Sequence, residues 1–169
     1  MSFWARMDAA LLEALRDALN KGGSGNYSTL TLRHSEIGEV WQPEKWEKPA
    51  LIVYSRDVRQ SSEEHGNLGT THATSRYSYA VTCVVAGDSY GTARDDAQTM
   101  MSRIMLVLRE WPAVLASAQA ADPSDQEQGR RLRWQAATLR VEPRAGRQNS
   151  GSGSHWAVVS LLFEIESRQ

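Results

Sequence analysis

The run ATSRYSYAVTCVVAGD at 73–88 constrains the fold more than any other part of the chain. Successive side chains of an extended strand point to opposite faces. Tyr77, Tyr79, Val81, Cys83 and Val85 therefore share one face, and Ser78, Ala80, Thr82 and Val84 the other. The run exceeds the ~5–6 residues typical of strands, so its start is expected to project beyond the sheet. A second alternation, HWAVVSLLFEIES, closes the chain with Ala157, Val159, Leu161, Phe163 and Ile165 on one face.

Three further segments read as strands. YSTLTLRH at 27–34 alternates Thr and Leu, ALIVYSR follows Pro49 with the apolar density of a buried strand, and RLRWQAATLRVEP runs from 131 to 143. Two helices accompany them. Phe3, Trp4, Met7, Leu11, Leu15, Ala18 and Leu19 recur at helical spacing, and Asn20-Lys21-Gly22-Gly23 stops that helix with residues suited to a left-handed cap. Ala93, Ala97, Met100, Met101, Ile104, Val107, Leu108 and Trp111 form the stripe of a second helix from Tyr90 to Trp111, capped by Asp88 or Ser89. Pro112 breaks it, and AVLASAQAA continues as a short, weakly amphipathic helix.

The connections are polar. Ser35 to Lys48 reads as irregular, and its Trp41 and Trp46 are either folded back on the core or part of a subunit contact. Residues 57–72 form one polar excursion, and the Gly/Ser-rich 144–155 another that is either mobile or ordered only on assembly. Strands and helices without regular βαβ alternation predict an α+β fold in one domain, 1–169: a mainly antiparallel sheet, two principal helices packed on one face, and a projecting β-hairpin.

Composition narrows the function classes. Of 169 residues, 41% are hydrophobic and 23% charged, and the formal net charge is −1. That balance gives no sign of wholesale nucleic-acid binding. A lone cysteine, Cys83, excludes an intrachain disulfide and a multi-cysteine zinc site, and its apolar neighbours mark it as a small buried side chain. Arg6, Asp8 and Glu13 interrupt any signal-peptide core, and the longest apolar runs fall short of the ~18 residues of a membrane span.

The stretch EEHGNLGTTHATSRYSY at 63–79 gathers the residues most suggestive of chemistry. His65 and His72 lie seven apart rather than at the i, i+4 spacing of a helical zinc motif, with Glu63 and Glu64 as further oxygen donors. Nothing around them suggests the rigid outer shell that a metal site needs. In GNLGTT the second glycine is followed by threonine where a phosphate loop needs lysine. His34 and His155 sit at strand or loop ends, with no local signature of a catalytic triad around them. No catalytic residue, metal or cofactor is expected. Arg130, Arg131, Arg133 and Arg140 interleave with Trp134, a pattern that serves single-stranded nucleic acid in some proteins. The alternation of Leu132, Trp134 and Ala136 fits better a strand with one arginine-bearing face and one apolar face.

Two polar excursions on a compact core cost ordering entropy and return little burial unless a neighbour orders them. The combination of ALLEALRDAL, PALIVYSR, the hairpin leading into YSYAVTCVV, DDAQTMMSRIMLVL and WAVVSLLFEIE resembles the tail terminator and tail-completion proteins of long-tailed bacteriophages. The head-tail connector or neck proteins share much of that arrangement. The resemblance covers nearly the whole chain as a pattern of elements and has no residue motif. It implies a non-enzymatic virion protein, made in the host cytoplasm and placed at the tail-neck junction. Such a protein forms a ring, commonly a hexamer, that caps the tail tube and ends its polymerisation. Its implied partners are itself, the tail-tube protein, the neck or connector protein and the sheath protein, with DNA passing through the lumen without sequence-specific binding. The interface residues to expect are Trp41, Trp46, Arg59, Glu63, Glu64, His65, His72, Arg130, Arg131 and Arg133. A small adaptor docking through the Trp41–Trp46 segment and a hydrolase using His65 or His72 with Glu63 or Glu64 are the competing readings.

Overall fold

A computed structural model describes residues 3–20, 31–38, 46–64, 71–110, 128–143 and 155–168. The elements are α1 (Phe3–Asn20), β1 (His34–Ile37), β2 (Ala50–Glu64), β3 (Thr71–Gly87), α2 (Tyr90–Arg109), β4 (Gln128–Pro143) and β5 (His155–Arg168). The strands form one sheet in the order β1-β2-β3-β5-β4. Only β1 and β2 are parallel; the other neighbours run antiparallel. The fold is α+β with a mainly antiparallel sheet, as the sequence predicts.

The core follows from the two periodicities. Met7, Leu11, Leu15 and Leu19 of α1 join Ala93, Ala97, Met100, Ile104 and Leu108 of α2. The same cluster takes in Leu51 and Val53, the five alternating residues Tyr77 to Val85, and the five from Ala157 to Ile165. Register explains this grouping, because Leu51 stands opposite Cys83 and Cys83 opposite Val159, so these side chains share one face. Ser89 caps α2, its side chain accepting from the Thr92 N–H at 3.2 Å. The helix ends at Arg109, two residues short of the predicted Trp111, which lies outside the described residues together with 113–121.

Polar contacts help fasten α1. The Tyr79 hydroxyl donates to Asp8 Oδ1 at 2.7 Å. Arg103 Nη1 donates to the Leu19 carbonyl at 3.2 Å, which satisfies an acceptor left over at the helix end. Asn20 Oδ1 accepts from the Leu32 N–H at 3.0 Å. Where β3 turns into α2, Gly87 lies so close to the helix that an added Cβ would sit 2.6 Å from the Ala93 backbone nitrogen.

Two expectations about the strands, the bounds of the first strand and the projection of β3, are corrected. Thr31 to Arg33 are not strand; the strand begins at His34 and takes in Ser35–Ile37, which read as irregular. Parallel pairing with β2 decides this, since His34 stands opposite Ala50 and the Arg33 N–H bonds the Pro49 carbonyl. The polar excursion at 57–72 contains the expected β-hairpin, with 57–64 and 71–72 in a ladder paired from Asp57↔Ser78 to Glu64↔Thr71. The start of β3 projects less than its length suggests, because β5 pairs with it as far as Thr74. The 144–154 part of the Gly/Ser-rich connection lies outside the described residues, and His155 opens β5.

Candidate subunit interface

Register lays the polar candidates out on the face of the sheet opposite the core. Arg59 of β2 stands opposite Arg76 of β3, Arg76 opposite Glu166 of β5, and Glu166 opposite Arg131 of β4. The next row reads Asp57, Ser78, Glu164 and Arg133. Arg76 Nε lies 3.6 Å from Glu166 Oε2, and Arg140 Nη2 lies 2.6 Å from Glu142 Oε1. Opposite charges facing each other across strands stabilise a solvated sheet face modestly. By register Glu166 and Glu164 of β5 stand opposite Arg131 and Arg133 of β4, which favours the reading of an arginine-bearing strand face over a nucleic-acid groove.

The apolar side of β4 departs from the predicted alternation. The register slips between Trp134 and Ala136, so that Trp134 stands opposite Phe163 and Ala136 opposite Leu162. Gln135 is the extra residue of a β-bulge, and beyond it the parity inverts. Ala136 therefore leaves the apolar side, which continues through Ala137, Leu139 and Val141, opposite Leu161, Val159 and Ala157. A second slip between Gly129 and Arg131 places Arg130 in a bulge. Trp134 tilts against Phe163 with centroids 6.1 Å apart, and Phe163 stacks on Tyr79 at 5.5 Å. Even so, Trp134 is 42% exposed.

Of the remaining candidates, Glu63 stands opposite His72, and Glu64 opposite Thr71; His65 and Trp41 lie outside the described residues. Trp46 stacks on His34 with centroids 5.4 Å apart and an interplanar angle of 10°. His34 Nε2 is 3.3 Å from Glu36 Oε2, and Lys48 Nζ sits 4.2 Å over the Trp156 ring. Trp46 is therefore folded back on its own chain and half-buried. This aromatic group flanks Ala50 and Val84, buried residues that face away from the main core.

Burial sets the ionisation of the inner groups. Cys83 is fully buried, which pushes its thiol up to about 12, so it is held as the unreactive neutral form. Asp8 titrates above the ordinary carboxyl range because burial outweighs the hydrogen bond from Tyr79. Burial, and then the Asp8 charge, keep the Tyr79 hydroxyl protonated. Among the described residues no group of three or more His, Cys, Asp or Glu is placed to hold a metal ion. No described helix is long and apolar enough to cross a membrane.

Glu36 and Ile37 fall in the segment that reads as an irregular connection, yet they pair with β2 at the edge of the sheet. No model of a known protein family matches the chain, and no curated protein is significantly similar to it.

Proposed function

We propose that this chain is a structural virion protein that assembles into a ring on the end of a phage tail tube, ends tube growth and joins the tail to the head or neck. One observation carries the reading beyond the resemblance in element order: the strands outrun their core. The last core row holds Tyr77, Ile165 and Leu132, yet the β2/β3 ladder continues through Arg76–Thr71. Six residues of strand reach roughly 20 Å. Over that length the ladder is built of Arg59, Gln60, Ser61, Ser62, Glu63 and Glu64 against Arg76–Thr71. A polar ladder this long gains little from burial within its own subunit, and it suits contact with a tube or an adjacent subunit. Closed rings use head-to-tail interfaces, so each subunit offers two different patches.

Light scattering and negative-stain imaging of the purified full chain, alone and with tail-tube protein, test this. The expected result is a ring of six 18.8 kDa subunits that binds tube ends and caps their length. A chain that stays monomeric at high concentration in both conditions overturns it. A ring that binds a portal or neck ring but ignores tubes points instead to a connector.

A further inference from the structure

Register ties the five strands into rows that cross the whole sheet. On the core side one row runs Ile37, Val53, Val81, Leu161, Ala137. Its three inner members are fully buried, whereas Ile37 is 45% exposed and Ala137 is exposed as well. Trp134 stands on the same side of β4 as Ala137 and is exposed to a similar degree as Ile37. The core row is thus open, and apolar, at both ends. The adjacent row on the other side runs Glu36, Ile52, Thr82, Ser160, Thr138, with Arg140 next along β4. It carries Glu36, beside His34, at the β1 end, and Arg140, beside Glu142, at the β4 end.

We propose that β4 of one subunit lies against β1 of the next, a second copy of this chain, so that the sheet continues across the subunit boundary. This rests on the ring reading and names its two patches. Ile37 would then cover Ala137 and Trp134, and Glu36 would come within diagonal reach of Arg140. The strand directions allow it: β1 runs with β2, and β4 runs with β3, so the two edges meet antiparallel. The stretch Ala136–Pro143 also pairs with β5 without a bulge, leaving a regular outer edge of backbone groups of the kind a further strand extends. A two-fold β4–β4 contact would leave Ile37 exposed and bring two strands rich in arginine together.

Cysteine cross-linking separates these arrangements. In the full chain carrying both I37C and A137C, mild oxidation should give a ladder of covalent oligomers ending at the ring size on a non-reducing gel. Either substitution alone should give none, and the fully buried Cys83 does not compete. A charge exchange gives an independent readout: E36R and R140E should each lower the assembled fraction, and the double variant should restore it. Dimers from A137C alone would overturn the proposal in favour of two-fold pairing. Rings that form normally but yield no ladder would overturn it while leaving the ring reading intact. A parent chain that does not assemble at all would remove both.

Discussion

The Asp8–Tyr79 hydrogen bond joins the first helix to the centre of the sheet across 71 positions of sequence, and it leaves a carboxyl in a partly dry site. Because the folded chain holds the Asp8 proton more tightly than an unfolded chain would, that group stabilises the fold at low pH. The contribution is lost as pH rises from the ordinary carboxyl value through the raised one. Asp8→Asn keeps an acceptor for the hydroxyl and removes the titration. Its urea midpoint is expected above the parent's at neutral pH, with the gap closing toward acid; curves that stay parallel at every pH would show that Asp8 ionisation is not linked to folding. Tyr79→Phe should instead cost about 1–3 kcal/mol, because it strands the carboxylate. Gly87 sets a steric limit of the same residue scale. Gly87→Ala forces a carbon against Ala93, 2.6 Å from its nitrogen and 2.8 Å from its Cα. Overpacking against backbone should destabilise by about 1–3 kcal/mol, and an unchanged melting temperature would show that the β3–α2 corner yields.

Elements whose signal is local were legible in the sequence. The stripes of α1 and α2 and the alternations of β3 and β5 each bury one face, and burial of one face is what periodicity records. The polar arm of β2 carries no such signal, since Arg59 to Glu64 have no apolar side, and only pairing with β3 makes it a strand. Pairing also selected His34–Ile37 over Thr31–Arg33 just before it. The bulge at Gln135 had no sequence mark at all, yet it decides which side Ala136 and Ala137 take. If the ladder serves as the reach of the molecule, it is separable from the core. Removing the matched arms 61–74 and joining Gln60 to Ser75 by an Asn-Gly turn keeps every remaining pair in register. The shortened chain should melt within a few degrees of the parent while losing attachment to tube ends. Unimpaired capping by that variant would assign the arm no role in contact.

At the scale of the whole molecule, a near-neutral chain hides ordered charge. Fourteen cross-strand pairs between β4 and β5 fix where Arg131, Arg133 and Arg140 stand, and Glu164 and Glu166 pair in register with Arg133 and Arg131 from positions more than thirty residues away in sequence. That distance is why the basic run, read alone, favours an arginine-bearing strand face without showing what stands opposite it. Binding to duplex DNA depends on cations free to displace counterions from phosphates, and a strip facing its own carboxylates offers few. The parent should therefore show no retention of duplex DNA in a gel shift at 150 mM salt, on the order of physiological ionic strength. Replacing both acids, Glu164→Gln with Glu166→Gln, leaves the arginines without their counter-charges. That variant should retain DNA at low salt, without sequence preference, and release it as salt rises. Tight binding by the parent would mean that the β5 glutamates do not neutralise the strip. A double variant as inert as the parent would mean that the β4 arginines are turned away from any duplex.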